Sequence, residues 1–152
     1  MVRENLRLLV RQGYKLIVIV NGHGAAGQRD TLDRLAVEFS NETPSRVIVQ
    51  MPDACPDGEP MPDFGHGTLV ETSFMCYLEG EHVDLSAFPP RSEGLKYTDY
   101  GIADDFVFRG QRSKDDCVVY DPRDATYELG KKYVEAAIAH LAATVQEVYE
   151  KL

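Results

Sequence analysis

The chain has 152 residues, enough for one domain with its own core, since chains of this size bury roughly 68–70% of their unfolded surface. Hydrophobic content of 43% and charged content of 27% are those of a globular domain, and no apolar run nears the ~20 residues that a membrane span needs. The net charge of −9 argues against a nucleic-acid-binding surface, which wants a basic one.

The opening residues alternate charged and apolar side chains, which is not the pattern of a signal peptide. Cys55, Cys76 and Cys117 are odd in number and form no CxxC pair. Free thiols in a reducing compartment follow, so the expected location is the cytoplasm.

Val2, Leu6 and Leu9 recur at helical spacing and predict a helix over 2–12, stopped at Gly13. Residues 15–21, KLIVIVN, form a β-branched run of the kind covered on both faces in a parallel sheet. Leu32, Leu35, Ala36 and Phe39 predict a helix over 29–40, and RVIVQ at 46–50 predicts a second buried strand. Together they make a βαβ unit. Residues 52–65 are rich in Pro, Gly and Asp and read as loop. A helix is predicted over 67–78. The pattern from 79 to 116 is weak, with one apolar patch at Phe106–Phe108. CVVY at 117–120 is a third strand candidate, and Val134, Ile138, Leu141, Val145 and Val148 mark a long closing helix. The chain thus opens on a helix that feeds a parallel-type strand, with no earlier strand and only three candidates where sheets usually have about 4–6. The expectation is one domain over 1–152, incomplete at its N-terminus.

Three motifs carry chemistry. The first is Asn21-Gly22-His23-Gly24-Ala25-Ala26-Gly27, between a strand and a helix. Ligands of open α/β sheets bind at the carboxyl ends of strands, and His23 can ligate a metal or move a proton. Three readings fit it: a ligand-bearing loop, a glycine-rich turn with an incidental histidine, and a dinucleotide fingerprint, because Gly22, Gly24 and Gly27 satisfy GxGxxG. The ligand loop fits best, since Asp53 lies in a proline-rich loop and no second mononucleotide half follows.

The second motif is DFGHGTLVETS, which crowds Asp63, His66, Glu71, Thr72 and Ser73 together. Imidazole and carboxylate bind Zn, Mn or Fe and also transfer protons. The same stretch reads equally as a capping box, with Thr68 capping a helix and Glu71 reaching back to the Thr68 amide. The third motif is DPRDATYELGKK. Here Asp124 is a candidate N-cap for the last helix and Glu128 suits its dipole. Asp121 or Thr126 could instead touch a ligand or a partner.

In this order the motifs resemble those of the creatininase (creatinine amidohydrolase) family. Its NGHGGN is matched by Asn21, Gly22, His23 and Gly24. Its HAGxxETS is matched by His66, Glu71, Thr72 and Ser73, with Gly67 and Thr68 at the Ala and Gly positions. Its GDPxxAT is matched by Asp121, Pro122, Ala125 and Thr126, with Tyr120 for the first glycine.

The resemblance implies a three-layer α/β/α sandwich with a mainly parallel sheet. It also implies metal-dependent hydrolysis of a small cyclic or linear amide, usually in a homo-oligomer. It makes His23 a metal ligand, Glu71 a ligand or catalytic carboxylate, and His66 the residue acting on substrate or proton transfer. Asn21, Gly22, Gly24, Asp63 and Thr72 would line the substrate. The family's N-terminal ExH segment, which supplies further ligands, has no match in residues 1–14, and Ala25 stands where creatininase has a Glu. The expectation is therefore an incomplete divalent-metal site, completed by a complementing N-terminal subunit. The rival reading is a non-catalytic subunit or binding module that keeps the fold.

Overall fold

A computed structural model of the chain describes residues 1–52, 67–93 and 121–152. Asp63, His66, Cys55, Cys117, Phe106–Phe108 and the strand expected at 117–120 lie outside those residues. The chain divides into two units, Met1–Asp53 with Ala137–Leu152, and Ala54–Ala136.

In the first unit, helix α1 (Val2–Arg11) is followed by β1 (Leu16–Val20), α2 (Ala26–Glu42) and β2 (Arg46–Gln50). α1 ends because Gln12 and Gly13 turn the chain, and Gly13 takes φ 86°, a left-handed conformation that glycine adopts without a Cβ penalty. β1 and β2 pair in parallel, in the register Leu16↔Arg46 to Val20↔Gln50. The crossover through α2 is the βαβ unit expected from the sequence. The core joins one side of both helices to one face of the sheet. Leu6 of α1, Leu35, Ala36 and Phe39 of α2, Ile17 of β1 and Val47 of β2 form a single buried cluster. Burying each of the larger side chains contributes roughly 1.5–3 kcal/mol. Above this core, Arg3 of α1 makes a two-pronged ion pair with Glu38 of α2, and its guanidinium carbon lies 6.0 Å from the Phe39 ring centre.

Two expectations change here. α2 runs three residues earlier and two later than the apolar spacing suggests, because Ala26, Gly27 and Gln28 extend it into the glycine-rich loop. The sheet is also less covered than an all-β-branched run implies. Only Ile17 of β1 is buried, and Val20 is 53% exposed.

In the second unit, α3 (Leu69–Leu78) is followed by short 3-10 turns at Gly80–His82 and Leu85–Ala87. A third 3-10 turn, Pro122–Asp124, leads into α4 (Tyr127–Tyr149). α4 starts in this unit and its residues from Ala137 onward belong to the first. Its buried positions are Gly130, Tyr133 and Ala137, whereas Ile138, expected on the apolar stripe, is 61% exposed.

α3 and α4 meet at Gly130. A Cβ there would stand 1.8 Å from the Ser73 carbonyl oxygen and 2.9 Å from the Tyr77 Cβ. Only a residue with no side chain lets the two helix backbones approach this closely. The Tyr77 and Tyr127 rings pack edge-on beside the contact, 5.2 Å apart.

Candidate functional site

β1 delivers the chain into the first motif at its carboxyl end. The Asn21 amide extends the ladder by donating to the Gln50 carbonyl at 2.8 Å. The Asn21 side chain, only 4% exposed, then organises the loop. Its Oδ1 accepts from the His23 amide at 3.3 Å and from Gln28 Nε2 at 2.6 Å, while its Nδ2 donates to the His23 carbonyl at 2.8 Å and to Met51 Sδ at 3.3 Å. Asn21 therefore fastens the strand end to the first turn of α2 and clamps the His23 backbone from both sides. The His23 side chain is left exposed at the loop tip. A Cβ at Gly22 or Gly24 would meet no atom within 4 Å among the described residues, so the packing seen here does not itself demand glycine at either position.

The second motif lies in the other unit. Gly67 takes φ 63°, which turns the chain into α3. Glu71 Oε2 accepts the Gly67 amide at 2.7 Å, and Thr72 Oγ1 donates to the Gly67 carbonyl at 3.3 Å. This corrects the expected capping box. Thr68 holds the N-cap position without a side-chain cap bond, and Glu71 reaches one residue further back than the Thr68 amide. The left-handed Gly67 swings its own N–H toward the helix and so becomes the donor.

Glu71 and Thr72 open onto a cleft of about 340 Å³, lined further by Met75, His82, Val83 and Phe88. The cleft is open and mostly apolar, and Glu71, Thr72, His82 and Asp84 supply its polar groups. His82 received no role in the sequence reading, because nothing in its local pattern marks it. With Glu79 and Glu81 it forms, among the described residues, a cluster of donor atoms within 4.8 Å of one another, all three exposed.

The third motif joins the second. Ser73 is completely buried, and its Oγ accepts from the Thr126 amide at 3.3 Å. The Thr126 hydroxyl in turn accepts from the Leu129 amide at 3.1 Å, so Thr126 caps α4. Asp124, the expected cap, is instead paired with Arg91. Asp121 caps the preceding 3-10 turn by accepting the Arg123 amide at 2.8 Å.

The Arg123 guanidinium grips both Asp121 oxygens. It also donates through Nη1 to the carbonyls of Pro89, Pro90 and Glu93 at 3.2–3.3 Å. This hydrogen-bonded guanidinium, helped by the nearby charge of Arg91, holds the Asp121 carboxyl below its ordinary pKa against the opposing effect of burial. One arginine thereby ties residues 89–93 to the turn that starts α4.

His23 thus belongs to the first unit, and Glu71 and Thr72 to the second. Cys76 is a free thiol, as expected. Among the described residues no helix is long and apolar enough to cross a membrane.

The family model described as Creatininase: Creatinine amidohydrolase matches residues 1–145. No curated protein matches the sequence. Among solved structures, a crystal structure of creatinine amidohydrolase (creatininase) is similar at a TM-score of 0.62 and 20% identity, covering 96% of this chain and 61% of its own. A mutant creatininase complexed with creatine is similar at 0.63 and 21%, covering 97% and 63%. A tryptophan-to-phenylalanine mutant creatininase gives 0.62 and 22%, covering 96% and 61%. The fold is therefore creatininase-like and α/β, and this chain spans about three-fifths of the length of those relatives.

Proposed function

The chain belongs to the creatininase family, and from that premise we propose that it carries part of a metal-dependent amidohydrolase acting on the C–N bond of a small cyclic or linear amide. The observation that carries the proposal is the loop at the end of β1, where a buried asparagine fixes the backbone of an exposed histidine. Such a loop, with open space at Gly22 and Gly24, suits close approach of a ligand.

The donor types suit the expected metal. His23 offers imidazole and Glu71 offers carboxylate, the set that Zn, Mn and Fe accept. Among the described residues these two fall short of the three protein ligands that a catalytic zinc normally takes. When bound, the metal would polarise the amide carbonyl and activate water. The chain's own residues have separate tasks in this reading. Asn21 positions His23, and Glu71 serves as ligand or base. Thr72 and the apolar wall of the second unit's cleft receive substrate, and His66 moves a proton. Gly22, Gly24 and Asp63 complete the substrate contacts. A homo-oligomer in the cytoplasm and a complementing polypeptide that supplies the remaining ligands belong to the same proposal.

The test is metal content followed by complementation. Elemental analysis of the purified chain is expected to find Zn, Mn and Fe well below one per chain, and stoichiometric tight metal would overturn the claim of an incomplete site. The part of a solved creatininase that its match to this chain leaves out, produced separately and added with Zn or Mn, is expected to give hydrolysis of creatinine or a related cyclic amide. His23→Ala should then lower the rate by at least the ~10–100-fold that losing a mere outer-shell partner of a metal ligand costs. Binding of the added polypeptide without metal-dependent hydrolysis would favour the non-catalytic module.

A further inference from the structure

Two walls enclose the cleft of the second unit, and both are tied to the stretch 121–126. α3 forms the first wall with Glu71, Thr72 and Met75, and residues 82–88 form the second, Val83 and Phe88 among them. α3 is held by its completely buried Ser73, which accepts the Thr126 amide. The second wall, among the described residues, is hydrogen-bonded along its length only to its own neighbours. The Val83 amide donates to Gly80, the Ala87 amide to Asp84 and the Phe88 amide to Leu85, and Asp84 accepts from the Ser86 amide and hydroxyl. Its tie to 121–126 comes just past its end, at residues 89–93.

The sequence there restricts how a tie can be made. Pro89 and Pro90 have no N–H, so their carbonyls are the only backbone polar groups by which they can be held. Arg123 supplies the donors. The hydrogens on its Nη1 are shared among the carbonyls of Pro89 at 3.3 Å and of Pro90 and Glu93 at 3.2 Å. The Pro90 carbonyl also accepts the Glu93 amide at 2.8 Å, so Arg123 grips a closed turn at both of its ends. The rest of the guanidinium holds Asp121, and Arg91, inside the same turn, pairs with Asp124. The Arg123 side chain is only 15% exposed. A charge removed from water to this degree is costly unless its donors are met, and a planar five-donor fork meets them on two sides at once where a lysine cannot.

The chain between this clasp and the cleft is stiff. Phe88 precedes a proline, which confines it to extended backbone, and it takes φ −68° and ψ 145°. Pro89 and Pro90 follow with φ fixed by their rings. A shift of residues 89–93 therefore carries the Phe88 side chain with it. The walls are mostly apolar, and apolar walls select by size and shape.

Resting on the reading of this cleft as the place where substrate is received, we infer that Arg123 is a positioning residue for it. By clasping residues 89–93 it sets Phe88 and Val83 against α3, and so decides how bulky an amide the cleft admits. Because Arg123 and Thr126 belong to the same short stretch, one segment of chain spaces both walls.

NMR on the whole chain tests this in two ways, the first without a ligand. In the wild type the Arg123 Nη1 and Nη2 groups are expected to give separate signals, because a guanidinium bonded on both sides does not rotate freely. In Arg123→Ala, and in Arg123→Lys, which keeps the charge and loses the fork, the Phe88 ring and Val83 methyl signals should shift or broaden. Those of Ile17 and Leu35 in the first unit should stay in place. The second way titrates pyrrolidinone and its bulkier N-benzyl derivative against the Met75 methyl signal. The wild type should prefer the smaller amide, and the preference should fall by ~10-fold or more in either variant, the scale on which apolar pockets discriminate by size. A merely structural role would weaken both probes alike and leave their ratio unmoved.

A freely rotating guanidinium would overturn the inference, as would Phe88 and Val83 signals unchanged in a folded variant, or an unchanged preference. If neither probe binds the wild type, the amidohydrolase reading of the cleft fails, and the Phe88 and Val83 signals still decide the role of Arg123. If neither variant folds, the wild-type guanidinium signals decide it.

Discussion

Gly130 shows how one residue can decide a helix contact. In isolation, a glycine in the first turn of α4 is a weakness of up to about 1 kcal/mol against alanine. In the structure the sign reverses, because a methyl group would sit 1.8 Å from the Ser73 carbonyl oxygen. Gly130→Ala is expected to cost ~2–3 kcal/mol in urea unfolding, the usual scale of overpacking. An unchanged or raised midpoint would show that α3 and α4 are not held at this distance. Asn21 makes the parallel point at the loop. The motif placed it among substrate contacts, yet its buried amide is engaged by His23, Gln28 and Met51. Those bonds fix the position of the His23 backbone at the strand end.

At the scale of elements, two polar groups govern how strands and turns end. Ser40 closes the outer edge of β2 by donating its hydroxyl to the Val47 carbonyl at 3.1 Å and accepting the Val47 amide at 2.9 Å, and its spacing in α2 gives no hint of this, since a serine on a helix is ordinarily a solvent-facing residue. Ser40→Ala leaves the Val47 amide and carbonyl without that partner. Stability is expected to fall by ~1–2 kcal/mol, as for a part-buried backbone group losing its bonds, and the Val47 amide should exchange faster.

In the second unit, the Asp121–Arg123 pair holds residues 89–93 to the start of α4. The Asp121 pKa is depressed in the fold, so its contribution is present above the ordinary carboxylate pKa of about 3.9 and is lost as pH falls through the lower folded value. Asp121→Asn should therefore lower stability at pH 7, and the gap to the parent chain should narrow steadily below pH 4. A gap independent of pH would show that the carboxylate charge is not what holds the turn.

At the scale of the whole molecule, α4 is the element common to both units, running from Tyr127 to Tyr149 across the boundary at Ala137. Ala139 is exposed within it, so a substitution there acts through the helix backbone alone. Ala139→Pro is expected to cost ~3 kcal/mol or more, against ~1 kcal/mol for Ala139→Gly, with a matching loss of helical circular dichroism. Equal small effects would mean that the helix is not continuous through this point.

The sequence by itself determined the local elements and their order. α1, β1, β2 and α3 lie within one or two residues of where apolar spacing puts them, because period 3.6 and β-branched runs are properties of neighbouring residues. It also determined the family, since three ordered motifs are a one-dimensional signal. Only the tertiary structure decided what those motifs do to one another. It set Ser73 against Thr126 across 53 residues, moved the cap of α4 from Asp124 to Thr126, and made Gly67 the donor to Glu71. It also closed one sheet edge with Ser40. Each of these depends on a backbone group finding a partner distant in sequence or on a neighbour's φ angle, and neither is written in the spacing of residues along the chain.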